Sequence, residues 1–352
     1  MKSVSFDSFL WHGRNFDHEG IRWANNTCCA FSCHFFGRRL EADILTNGPE
    51  KMTPDMQCYL LLTVNGESFP IKLEQTETHL VLADFEIPTE AEITLLKRTE
   101  QQYASFGVKE IFADEDAVIT PTEEKSRKLL ILGDSLTCGY GNAGAPSDPF
   151  DTKQEYGEMS YGKLAADELD AEIQFVSRSG IGLYSSYTEI PNHRETSILI
   201  RDLLPYADAI GCEDLGIDKV LWDKSRYTPD AIIINLGTND GILYTSGGEE
   251  QRWNYAKDYM KLVEELHEDY PDAEVVVTIG PINPETTRLF SKLLYLVEER
   301  RLNGDDKVSC CLFPFATHEE GMGAVGHASL ATDKSMAKHL AAHLKLRVFD
   351  RK

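Results

Sequence analysis

No stretch of this 352-residue sequence stays apolar long enough for a bilayer-spanning helix, which takes about 20 residues. Basic side chains are scarce: Lys and Arg number 35 against 58 Asp and Glu, a formal net charge of -23. So acidic a surface repels phosphate backbones and anionic lipids, and neither nucleic acid nor a membrane is expected as a partner. Residues 1–7 lack the apolar core of a secretory signal and include an early acid, and Met1 reads as the natural start. The eight cysteines form no Cys-x-x-Cys pair, no His-x-x-His step occurs, and no metal or organic cofactor is expected. Cys28-Cys29 and Cys310-Cys311 are adjacent pairs in apolar runs, which read as buried free thiols in a reducing compartment, the cytoplasm. A homo-oligomer is left open. A Gly-Lys-Ser/Thr step is missing from 139–144, the stretch that fits G-x-G-x-x-G. That stretch starts several residues past its strand and is followed by Pro146 and Pro149, against a dinucleotide site.

What is present divides the chain in two. Residues 1–120 read as all-β. Short strands are expected at 28–36, 40–44, 58–64, 69–73, 79–87 and 91–97, with a turn at 37–39 and a hairpin at Asn65-Gly66. Regular spacing and one-sided alternation predict a β-sandwich or jelly roll. Residues 114–128 are charged and aperiodic, and their last part, 121–127, is taken as a linker. From 128 to 352 strands alternate with helices. Strands are expected at 128–132, 173–177, 231–236, 275–279 and 309–312, and helices include 198–207, 249–270 and 329–346. Continuous β-branched runs such as Ile232-Ile233-Ile234 suit strands buried on both faces. The fold class is α/β, a doubly wound, flavodoxin-like parallel sheet preceded by the β domain.

Chemistry-bearing residues sit just past the strand ends. Ser135 follows the first parallel strand and Ser179-Gly180-Ile181-Gly182 the second. Gly237-Thr238-Asn239-Asp240 follows the third, and His327 lies between the last strand and the last helix. In an open α/β sheet those ends face the ligand crevice. A hydroxyl, a glycine amide, a side-chain amide and an imidazole at one sheet edge are what acyl transfer needs. Each has a plainer reading: Ser135 beside a helix cap, Gly180 in a turn, Asn239 in an Asx-turn. Asp134 and Asp240 read as structural, one near a helix start and one bonding loop amides. Thr137 stands where an α/β-hydrolase elbow needs Gly. His339 and His343 lie four apart on one helix face with no third ligand in view. Trp222 and Trp253 read as core or interface.

Gly133-Asp134-Ser135-Leu136 resembles block I of the GDSL, or SGNH, hydrolases, and Gly180, Asn239 and His327 match the later blocks in order. The resemblance covers about 128–346. A β domain opening with Trp11-His12-Gly13-Arg14 ahead of it is similar to carbohydrate esterase family 2, whose members remove acetyl groups from xylans. The resemblance implies Ser135 as nucleophile and His327 as acid–base. It implies oxyanion donors at the Ser135 and Gly180 backbones and the Asn239 amide, and an acetylated oligosaccharide or polysaccharide as substrate. The family usually places an Asp two or three residues before the histidine, where this chain has Val325 and Ala324. A Ser–His dyad is therefore expected, with Glu319 or Glu320 as a remote acid in second place and His318 as the rival imidazole. Tyr184 could face a sugar ring or merely pack a loop. Beside the esterase stand a carbohydrate-binding protein with weakened catalysis and a lipase or thioesterase of the same superfamily.

Overall fold

The computed structural model describes residues 1–190, 193–242, 248–282, 285–316 and 321–350. They form two compact units. The first comprises Met1–Lys125, Asp151–Gly157 and Tyr206–Leu221, and the second comprises Ser126–Phe150, Glu158–Pro205 and Trp222–Lys352.

The first unit is a jelly-roll-like antiparallel sheet of ten strands. Two long strands, Ala30–Leu45 and Glu77–Lys97, pair along their length and replace the four short ones expected there. The turn expected at 37–39 is instead an irregularity within the strand. Register jumps from Gly37↔Thr89 to Arg39↔Asp84, so Arg38 faces four residues that include Pro88. Proline cannot donate to the ladder and belongs in such a bulge, which bends a strand without ending it. The charged stretch after residue 114 also holds a strand: Val118–Pro121 pairs with Phe36 to Cys33. Four residues are too few for alternation to show against charged flanks. Phe31, Phe35, Leu40, Ile44, Leu60 and Phe106 anchor the core.

Two segments from later in the chain complete this unit. Glu155 is buried and accepts the Glu100 N–H at 3.2 Å. Arg14, from the Trp-His-Gly-Arg motif, is buried and donates to the Tyr206 carbonyl at 2.7 Å, while Asn25 donates to Asp208 at 2.5 Å. Pro205 explains why the helix expected at 198–207 stops short: Ile200–Leu203 is one turn, and Ala209–Asp214 is a separate helix.

The second unit has five parallel strands in the order Ala171–Ser177, Arg127–Gly133, Ala231–Asn235, Glu274–Thr278, Val308–Cys310. This 2-1-3-4-5 order is the flavodoxin-like one. The central strands are fully buried, as their unbroken apolar runs require. Helix Leu330–Leu344 packs on Tyr161–Glu168, and Glu249–Asp269 packs on Glu285–Leu302. Tyr259 donates its hydroxyl to the Ile234 carbonyl at 2.5 Å, pinning a helix to a strand. All eight cysteines are free thiols, seven of them buried, and burial pushes Cys29, Cys33, Cys310 and Cys311 up to about 12. No helix among the described residues is long and apolar enough to cross a membrane.

Candidate active site

The site is built at the topological switch point. Gly133 pairs with Ser177 on one side and Asn235 on the other, so three strands end level with one another. Strand order reverses there, and the turns beyond the ends diverge to leave a crevice. Ser135 begins a single helical turn, Ser135–Cys138, capped by Asp134, which accepts the Leu136 N–H at 3.1 Å. Asp134 is wholly buried, and burial pushes its carboxyl up to about 7. Through that bond it holds the turn.

His327 comes from the far end of the chain, and its Nε2 lies 3.0 Å from Ser135 Oγ. Ser135 is only 5% exposed, so this bond is largely sheltered from water. Burial lowers the pKa of His327 below the ordinary histidine value, and the carbonyls of Ala324 and Val325 oppose that shift. That direction favours the neutral imidazole, the form that can take a proton. Nδ1 is buried, and no described residue completes a hydrogen bond to it. His318, Glu319 and Glu320 lie outside the described residues. The positions where the resemblance leads one to look for an acid form a tight turn instead. Val325 there has φ 52° and ψ 30°, a left-handed conformation that a β-branched residue seldom adopts.

Gly180 follows the second strand with φ 79°, and its carbonyl accepts the Tyr187 N–H at 2.8 Å. Asn239 is buried and donates from Nδ2 to the Ile181 carbonyl at 2.8 Å. That bond uses one amide hydrogen and fixes the plane in which the second points. Asp240 binds the second-strand loop to the third: its oxygens accept the N–H groups of Leu183, Tyr184 and Ser185 at 3.2, 2.6 and 2.9 Å. Burial raises its pKa to about 6 against the pull of those bonds. Both aspartates thus occupy the structural places expected of them.

Tyr184 is half-buried, and the Arg194 guanidinium lies 3.7 Å over its ring. At most one ring face is left for a ligand. Sequence reasoning missed Tyr140. Its ring centroid is 4.5 Å from that of His327, and it stacks on Phe150 at 3.6 Å with planes 7° apart. Its only signal was an aromatic inside the glycine run 139–144. In that run the Gly141 carbonyl accepts the Ala324 N–H at 2.8 Å, and the Asn142 carbonyl accepts that of Leu330 at 3.0 Å. His339 bonds the Ser335 carbonyl, and His343 bonds Ser309, as a helix face would. Among the described residues no group of three His, Cys, Asp or Glu could hold a metal. Trp222 is buried in the core, and Trp253 packs edge-on against Tyr295.

Known proteins share this architecture. Residues 131–301 match the model of the GDSL-like lipase/acylhydrolase family. Cellulase/esterase CelE of Acetivibrio thermocellus is 32% identical over 256 residues, 72% of this chain and 30% of CelE. The chain therefore spans under a third of that relative's length. An acetylxylan esterase/glucomannan deacetylase of Cellvibrio japonicus is 28% identical over 277 residues, 78% of this chain and 72% of that protein. A family two carbohydrate esterase from Clostridium thermocellum, solved in complex with cellohexaose, superposes with a TM-score of 0.84 at 27% identity, covering 96% of this chain and 98% of that one.

Proposed function

We propose, from the premise that residues 131–301 belong to the GDSL-like lipase/acylhydrolase family, that this protein is a serine carboxylic ester hydrolase. Its substrates are O-acetyl groups on xylan-type polysaccharides or oligosaccharides. The observation that carries the reading is the 3.0 Å contact between His327 Nε2 and Ser135 Oγ at the sheet's switch point.

In the first half-reaction, the Ser135 hydroxyl gives its proton to Nε2 as Oγ bonds the acetyl carbon. The tetrahedral intermediate then expels the sugar oxygen, which takes the proton back from the imidazolium. Water repeats the sequence on the acetyl-serine and releases acetate. The developing oxyanion is met by the backbone N–H groups of Ser135 and Gly180 and by the second amide hydrogen of Asn239. Support for Asn239 is its fixed amide plane, and support for Gly180 is its place one loop away on the neighbouring strand. Ser135 and His327 act as a dyad, the local carbonyls of Ala324 and Val325 favouring the charged imidazole in place of a carboxylate. Tyr184 offers a sugar ring the face that Arg194 does not cover. Support for the acetyl and xylan specificity is the likeness to acetylxylan esterases.

Acetate release from acetylated xylo-oligosaccharides tests the reading. Turnover by the wild type and its loss in Ser135→Ala and in His327→Gln are expected. A second reading, sugar binding with weakened catalysis, is favoured by the missing aspartate before His327. It predicts saturable binding of the same oligosaccharides with no acetate released by the wild type.

A further inference from the structure

We propose that Tyr140, buttressed by Phe150, is a positioning residue that holds the His327 imidazole against Ser135 and favours its protonated form. The inference rests on the reading that Ser135 and His327 are nucleophile and base. A histidine that no carboxylate holds can swing away from the hydroxyl it must serve. In a triad a carboxylate on Nδ1 both stops that motion and offsets the positive charge that arises when the serine proton arrives. Neither residue 324 nor residue 325 carries one.

The Tyr140 ring meets both needs by other means. Its centroid lies 4.5 Å from that of the imidazole, with planes tilted by 42°. The ring does not have to find this place by itself, because it lies 3.6 Å from the Phe150 ring, nearly parallel at 7°. Tyr140 also donates its backbone N–H to the Ser135 carbonyl at 3.0 Å. One residue is thus tied to the nucleophile's turn by its main chain and to the base by its side chain. An aromatic ring carries negative charge density on its faces, so a cation formed beside it is stabilised, more so when shielded from water. The neutral imidazole gains less. The ring therefore helps the transition state more than the ground state, which is how a residue raises turnover instead of binding.

The experiment is steady-state hydrolysis of p-nitrophenyl acetate by the full chain, with thermal unfolding run in parallel. Tyr140→Leu should lower kcat about tenfold and leave KM within about twofold, since the ring touches the base and not the acetyl group. Tyr140→Phe keeps the ring and should stay within about twofold of wild type. Phe150→Leu should lower kcat about threefold by freeing the buttressed ring. A folded Tyr140→Leu with unchanged kcat overturns the proposal. So does a Tyr140→Phe as slow as Tyr140→Leu, or a change confined to KM. If Tyr140→Leu does not fold, Phe150→Leu decides: unchanged kcat there overturns the proposal, and the threefold loss sustains it. Ser135→Ala serves as the reference: turnover that survives it overturns the underlying reading and the proposal with it, whereas an unchanged kcat in Tyr140→Leu of an enzyme that needs Ser135 overturns the proposal alone.

Discussion

The carbonyl of Gly141 accepts the N–H of Ala324 at 2.8 Å, which ties the turn carrying Ser135 to the loop carrying His327. The Gly323 N–H closes the same loop on the His327 carbonyl at 2.8 Å, and the Leu330 N–H reaches the Asn142 carbonyl at 3.0 Å. The nucleophile and base are 192 residues apart in sequence, yet main-chain bonds set their separation. Main-chain bonds restrict motion more than a pair of long side chains could, and small displacements of reacting groups cost rate steeply.

Gly323→Ala tests that clamp. A Cβ on residue 323 would lie 2.4 Å from the Gly141 carbonyl and 2.8 Å from that of Ala328, and both are main-chain atoms. The loop must move and take His327 with it. Hydrolysis of p-nitrophenyl acetate should fall more than about tenfold in kcat, a loss typical of reacting groups displaced by a fraction of an ångström. Wild-type kcat in a folded variant would show that the clamp does not set the dyad.

Val325→Asn tests the price of the turn. A left-handed L-residue costs roughly 1–2 kcal/mol, and asparagine tolerates that region better than valine. Val325 is 55% exposed, so its side chain gives up little burial on replacement. The thermal midpoint should rise by about 2–4 °C. Turnover should hold, because the carbonyl keeps its direction. A lower midpoint would mean that the valine side chain contributes more than its backbone costs.

Asn239→Ala removes an oxyanion donor and leaves the buried Ile181 carbonyl without its 2.8 Å partner. Loss of such a donor lowers kcat by about a hundred- to a thousandfold, and the orphaned carbonyl costs about 1–3 kcal/mol of stability. Steady-state kinetics beside thermal unfolding separates the two. A stability loss with kcat intact would assign Asn239 to the loop alone.

The pH profile follows from His327. A base must be neutral to accept the serine proton, so activity falls as pH drops through its pKa. Burial has moved that pKa below the ordinary 6.5. The acid limb of kcat/KM should therefore lie below pH 6.5. A limb at or above 6.5 would place a carboxylate or comparable anion beside the ring.

Asp333 sets a second pH dependence, in stability. It is buried and accepts the Asn142 amide at 3.0 Å and the Tyr161 N–H at 3.1 Å, and burial raises its pKa from 3.8 to about 7. A carboxyl with its folded pKa above its unfolded one favours folding while protonated. Its contribution is full below pH 3.8 and is lost as pH rises toward 7. Asp333→Asn should remove that loss. The variant's thermal midpoint relative to wild type should be higher at pH 8 than at pH 5, and equal differences at the two pH values would contradict the assignment.

The sequence alone determined what depends on neighbours along the chain. Unbroken apolar runs such as Ile232-Ile233-Ile234 can only be strands buried on both faces, and the residues just past them must lie at the sheet's carboxyl edge. That local logic leads one to expect Ser135, Gly180 and Asn239 along one edge, with His327 added from its place between the last strand and the last helix. It also gave Asp134 and Asp240 their structural places. Tertiary structure decided what depends on closure between distant segments. Arg38 reads as a turn until Asp84–Thr89 lies opposite it and makes it a bulge. Glu155 and Asp208 are buried against Glu100 and Asn25, partners more than fifty residues away that no local pattern announces. Val325 becomes left-handed only because the bonds to Gly141 and His327 fix both ends of its loop. The packing of Tyr140 against Phe150 and His327 left almost no sequence trace, because a ring's partners are chosen by the fold and not by spacing along the chain.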